Sequence, residues 1–113
     1  MIEDYAFGRV AIDGTTYTSD VIIYPDHVDA SWWRLEGHRL QPEDLTDVFA
    51  AAPAVLVVGQ GKPGLMRVPE ATRQAVTERG IDLVVAKTPE ACRRYNELVS
   101  KGKNVVAAFH LTC

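Results

Sequence analysis

Three stretches of this chain are apolar from end to end: "AVLVV" (Ala54 to Val58), "DLVVA" (Asp82 to Ala86) and "NVVAAFHL" (Asn104 to Leu111). A strand with one wet face alternates apolar and polar residues. Continuous apolar strands are covered on both faces, the hallmark of a parallel sheet between layers of helices. The segments between them supply those helices. "PEATRQAVTERG" begins at Pro69 and closes at Gly80, a proline at the first position and a glycine past the last. "PEACRRYNELVSKG" follows Thr88 as its cap, with Ala91, Tyr95, Leu98 and Val99 inward and Arg93, Arg94, Glu97 and Lys101 outward. A further helix, "PEDLTDVFAA", opens at Pro42 with acids in its first turn, where they suit the helix dipole. Leu45, Val48, Phe49 and Ala52 give it an apolar face. Crossovers through helices make the three strands locally parallel and right-handed.

The first 35 or so residues differ. "FGRVAIDGTTYTSDVIIYPDHVDASWW" is rich in Val, Ile, Thr and Tyr, which suit pleated surfaces. Asp13-Gly14 between "RVAI" and "TTYT" signals a hairpin, "VIIYP" a strand closed by proline, and "HVDASWW" a short edge strand. The expected fold is one three-layer α/β domain over 1–113: a β-α-β-α-β core in 42–113 with a β-rich layer, 1–35, added in front.

Length and charge narrow the function. The chain has 113 residues, 47% of them hydrophobic, enough for one packed core. Net charge is -3 and the basic residues are scattered, so no nucleic-acid partner is expected. The longest near-continuous apolar run, Ala50 to Val58, contains Pro53 and falls far short of the roughly 20 residues of a membrane helix. The opening "MIEDYAFGR" does not read as a secretory signal, and two cysteines, Cys92 and Cys113, make no disulfide framework. A reduced, cytoplasmic protein without metal or cofactor is expected.

"VVGQGKPG" (Val57 to Gly64) spells G-x-G-x-x-G after a strand. A dinucleotide site would start its helix inside the motif and carry an acid at the end of the next strand. Here the helix starts near Pro69, and the next strand ends "AKT". No G-K-[ST] follows, so this is no Walker loop. Two readings stay open. The backbone of Gly59 and Gly61, with Lys62, Arg67 and Lys87 adding charge, forms an anion nest at the carboxyl ends of the strands. Alternatively the glycines only permit a sharp exit from a buried strand. The nest reading expects Gly61→Ala to weaken phosphate-type ligands with little loss of fold.

Other stretches carry chemistry-bearing side chains. "TYTSD" places Thr18 and Ser19 beside Asp20, either to orient a substrate or to bond the local backbone. In "SWWRLEGHRL", neighbours in an extended segment face opposite sides, so Trp32 and Trp33 cannot both enter one core. The outer ring then lines a cleft or interface, with Arg34 stacking on it or pairing with a partner's carboxylate. Cys92 reads as a small buried hydrophobe. His110 and Cys113 are poorly spaced for a metal, and His27 with Asp26 and Asp29 is too loose a set.

Together, "GRVAIDGTTYTSDVIIYPD", "SWWRLEGHRL", "VLVVGQGKPGLM", "TPEACRRYNEL" and "VVAAFHLTC", in that order, resemble a small α/β family typified by a hypothetical methanogen protein. That family includes the adipogenesis-associated cytosolic protein of animals and, distantly, a mitochondrial assembly factor for respiratory complex I. The resemblance implies a compact three-layer domain with a mixed central sheet and no established catalytic residues. It adds weight to Thr18, Ser19, Asp20, Trp33, Gly59 and Gly61 as a shared surface. The chain lacks the Arg- and Ser-rich opening of a mitochondrial presequence. The expectation is a non-enzymatic binding or assembly module, acting on a protein partner or by self-association. The alternative is an enzyme or sensor that binds a small anionic ligand at the glycine loop, 59–64.

Overall fold

A computed structural model describes all of residues 1–113. Strands β1 (Ile2–Ala6), β2 (Arg9–Ile12) and β3 (Thr15–Tyr17) form an antiparallel meander. Asp13 and Gly14 both take positive φ, the two-residue turn that the Asp-Gly pair favours. β1 is an addition to the expected elements. Its two acids obscure it in the sequence, but Ile2 reaches the core and its backbone is clamped by the Asn96 amide, at 2.9 Å and 2.8 Å.

The central sheet has five strands. β4 (Val21–Ile23) and β5 (Val28–Asp29) pair antiparallel at one edge, followed by β8 (Val105–His110), β6 (Val55–Gln60) and β7 (Asp82–Ala86). β8, β6 and β7 run parallel, while β4 meets β8 antiparallel, so the sheet is mixed. "HVDASWW" is extended only at Val28 and Asp29; both tryptophans lie beyond β5. The segment at Pro42 is a 3-10 turn, Pro42–Leu45, running into a short helix, α1 (Thr46–Ala51), rather than one continuous helix. Helices α2 (Glu70–Thr77) and α3 (Thr88–Ser100) are the two crossovers, with Pro69 and Lys87 as their caps.

Strand alternation sorts the core into two faces. Val21, Ile23, Val55, Val57, Val105, Ala107 and Phe109 point to the meander and to Ala91, Cys92 and Tyr95 of α3. Ile22, Leu56, Val58, Val106 and Ala108 point to Leu45 and Val48, to Val76 of α2, and to Leu40 and Met66. The three layers are therefore meander plus α3, central sheet, and α1 plus α2. The apolar runs are covered twice, as their composition requires.

Gly59 lies inside β6, not in a loop, and is fully enclosed. A Cβ there would sit 2.8 Å from Phe109 Cδ1 and 2.8 Å from Thr88 Oγ1, with the Thr88 backbone at 3.3 Å. The glycine lets α3 begin against the strand. Gly59→Ala is expected to lower stability by about 1–3 kcal/mol through overpacking. Gly37→Ala, where the added methyl meets nothing within 4 Å, should stay within about 0.5 kcal/mol of the parent. Urea unfolding midpoints of the two variants check this.

Candidate functional site

The carboxyl ends of the parallel strands are where open α/β sheets hold their ligands. Here they carry a cluster of charged groups. Asp20, just before β4, accepts hydrogen bonds from Arg34 Nη1 and His110 Nδ1 through Oδ2 and from the Leu111 backbone N–H through Oδ1, each at 2.8 Å. Side-chain exposures are 6% for Arg34, 8% for His110 and 19% for Asp20. His110 is the last residue of β8, on the face shared by Val106 and Ala108. A histidine ending an apolar strand needs a polar partner if it is to stay inside; Asp20 is that partner.

The contacts assign the histidine tautomer. Nδ1 lies 2.8 Å from Asp20 Oδ2 and 3.1 Å from Arg34 Nη2. A carboxylate only accepts and a guanidinium only donates. The proton on Nδ1 therefore points to Asp20, and Arg34 Nη2 donates to the Gly37 carbonyl, 2.8 Å away. His110 Nε2 and Arg34 Nε are left buried without a hydrogen-bond partner. Burial is the largest single influence on Asp20 and pushes its pKa up. It is outweighed by the hydrogen bonds from His110, Leu111 and Arg34 and by the field of His110, which together hold the carboxyl at about 2, against its ordinary 3.8.

Arg34 is engaged within the chain. Its guanidinium is spent on Asp20 and Gly37 and lies over the Trp32 ring, 4.8 Å from its centre. The stack forms on the inner tryptophan and the ion pair forms within the chain, a correction to the expectation for this residue. Trp32 is half-buried and donates from Nε1 to the Asp44 carbonyl at 3.1 Å. Trp33 is 73% exposed. The two rings point apart although the segment belongs to no strand. Ser19 bonds to the Ala30 carbonyl, and Thr18 is exposed.

The glycine loop is occupied by the chain itself. Lys62 N–H donates to the Thr112 carbonyl at 2.8 Å, Leu65 N–H to the Cys113 carbonyl at 2.7 Å, and Gly61 N–H to Thr88 Oγ1 at 2.9 Å. Gly61 takes φ +95°, and a Cβ on it would lie 2.2 Å from the Cys113 carbonyl carbon. The sequence expectation that Gly61→Ala spares the fold is thus corrected: that methyl collides with backbone. Lys62 and Lys87 are exposed.

Beside this cluster, a groove of about 580 Å³ is lined by Arg39, Gln60, Arg67, Val68, Pro69 and Arg73. Arg39 and Arg73 were not singled out from the sequence, since their positions converge only in the fold. A larger hollow of about 830 Å³, bounded by Tyr24, His27, Asp29, Asp47 and Asn104, lies at the opposite end of the sheet, away from the charged cluster. No group of three or more His, Cys, Asp or Glu side chains is placed to hold a metal.

Comparison with known proteins places this architecture. The model of a family described as "Protein of unknown function (DUF498/DUF598)" matches residues 2–110. A conserved hypothetical protein of Pyrococcus horikoshii is 29% identical, with a TM-score of 0.84 over 100% of this chain and 99% of its own. The protein MT938 is 27% identical with a TM-score of 0.81, over 100% and 98%. The Rpa2829 protein of Rhodopseudomonas palustris is 26% identical with a TM-score of 0.78, over 96% and 81%.

Two outcomes follow from the site. Because the folded Asp20 pKa lies below its unfolded value, its contribution is full above about pH 4 and is lost as pH falls toward 2. That contribution amounts to about 2 kcal/mol. Asp20→Asn should lower stability by roughly 3–5 kcal/mol, as unpairing a buried charge does. It should also flatten the pH dependence between 4 and 2, measured by denaturant melts across that range. Separately, burial pushes the Cys92 thiol up to about 12, opposed only by the charge of Arg93. A thiol reagent at neutral pH should modify Cys113 and spare Cys92 in the native protein, read by mass spectrometry.

Proposed function

We propose that this chain, which belongs to the DUF498/DUF598 family of proteins of unknown function, is a non-enzymatic cytoplasmic binding module that docks a protein partner through Trp33. The observation that carries this reading is a large aromatic ring held out into solvent by rigid neighbours. Trp33 is 73% exposed. Residues on both sides of it are pinned: Trp32 by Asp44, Arg34 by Asp20 and Gly37, and Leu35 by its N–H to Asp44 Oδ1 at 3.0 Å. Leu35 points outward with Trp33.

Tryptophan is the residue most enriched among interface hot spots. A pre-organised anchor binds without first losing loop entropy. A flexible surface tryptophan would need no such support. Two free thiols suit a reducing compartment.

The test is a photo-crosslinking residue placed at position 33 in cells, with a matched one at Glu78, an exposed position at the end of α2. Discrete adducts of fixed mass are expected at 33 and not at 78. Identical smears from both positions would overturn the reading. Trp33→Ala should stay within about 0.5 kcal/mol of the parent in stability while losing the partner in a pull-down.

A further inference from the structure

We propose that the groove formed by Arg39, Arg67, Arg73 and Gln60 is a binding site for a compact phosphate-type oxyanion. This site takes Gln60 and Arg67 from the neighbourhood of the glycine loop but is built from side chains rather than from the loop's amides, and it does not include Lys62, Lys87 or Trp33. The backbone itself brings the arginines together. Arg67 N–H donates to the His38 carbonyl at 2.8 Å and Leu40 N–H donates to the Arg67 carbonyl at 2.9 Å. Arg39, between them, is thus paired with Arg67 in a parallel bridge. Directly paired residues put their side chains on one side of the ladder, close together. Two like charges held that way destabilise the fold, and an oxyanion seated between them reverses the sign.

The third arginine is positioned as well. Arg73 donates from Nε to the Val68 carbonyl at 3.1 Å, which fixes the plane of its guanidinium and leaves the two terminal nitrogens for a ligand. Gln60, the end of β6, is held through Nε2 by the Met66 carbonyl at 3.0 Å and lies in register with His110. One internal acid competes. Glu36 accepts from Arg39 at 3.3 Å and from Gln41 at 2.9 Å. Both partners of that ion pair are about half exposed, so the pairing is weak and exchangeable. Arg67 has no acid partner.

The lining states the ligand class. Among six residues only Val68 and Pro69 are apolar and none is aromatic, so there is no platform for a base or a lipid chain. Guanidinium forks match the oxygens of phosphate in pairs. The volume of about 580 Å³ falls in the range of small-molecule sites, about 300–1,000 Å³. Placement at the carboxyl end of β6 agrees with where such sheets bind ligands.

The test is calorimetric titration of the full chain with pyrophosphate at fixed ionic strength. Saturable binding of one equivalent is expected. Arg67→Gln should weaken it about tenfold or more, the size of one lost charge-assisted contact. Its melting temperature should be unchanged or higher, because a like-charge pair has gone. Lys87→Gln and Trp33→Ala should bind as the parent does, which separates this site from the glycine loop and from the partner surface. Absence of saturable heat, equal binding by Arg67→Gln, or a loss shared by Lys87→Gln would each overturn the assignment. So would a short single-stranded oligonucleotide that displaces pyrophosphate at far lower phosphate concentration.

Discussion

One carboxylate ties the molecule's irregular parts to its sheet. Asp20 takes hydrogen bonds from the end of β8, from the backbone just beyond it and from the loop that carries the tryptophans. Arg34 cannot lose its charge in a protein, so a guanidinium with 6% exposure has to be met by an anion. Asp20 meets it and stays ionised despite its burial. A buried ion pair is weak evidence for net stability, since apolar groups of like shape can do as well. What this one provides is position. Ser31 to Arg34 form no helix or strand, and no ladder of their own fixes where Trp33 projects. The salt bridge, the Gly37 contact and the two bonds to Asp44 do so instead.

The layers were legible in the sequence because they follow from period and length. Three uninterrupted apolar runs require cover on both faces, and the helical stripes between them supply it. Asp13-Gly14 and the residues around it give the hairpin directly. β1 was obscured because Glu3 and Asp4 lie on its exposed positions and only Ile2 is fully buried. The apolar spacing of the Pro42 segment fits one continuous helical period. The chain instead tightens to a 3-10 turn at Leu45 before α1. Local spacing does not distinguish the two over so few residues.

The candidate sites divide along the same line. Trp32 and Trp33 are neighbours with opposite fates, but no strand runs through them, and the bonds from Trp32, Arg34 and Leu35 to Asp44, Asp20 and Gly37 separate the two rings. Asp20 and His110 are ninety positions apart, and no pattern in either neighbourhood names the other. The one available signal was chemical: a histidine closing an apolar strand has to find a partner. The glycines misdirected for a related reason. G-x-G-x-x-G is a pattern of permitted backbone, and the backbone it permits here serves packing. Gly59 admits Thr88 and Phe109, and Gly61 admits the tail at Thr112 and Cys113. A phosphate loop needs amides facing outward, whereas the amides of Gly61 and Lys62, and of Leu65 just past the motif, already donate inside the chain.

The stretch from Ser31 to Leu40 then explains why a domain with so regular a centre has its distinctive chemistry at one edge. Its residues take alternate destinations. Trp32 and Arg34 go inward to Asp44 and Asp20, Trp33 and Leu35 go outward, and Arg39 goes to the bridge with Arg67. Regular alternation in a strand would have put those side chains on two flat faces. An irregular segment held by side-chain bonds can aim each residue separately, at the expense of depending on every one of those bonds. Three of them converge on two residues: Arg34 on the Asp20 carboxylate, Leu35 on the Asp44 carboxylate and Trp32 on the Asp44 backbone carbonyl. Asp44 also closes the capping box at Gln41, so the same acid that starts the 3-10 turn orients Leu35. The surface that Trp33 offers is therefore as well ordered as the turn and the strand end to which it is fastened.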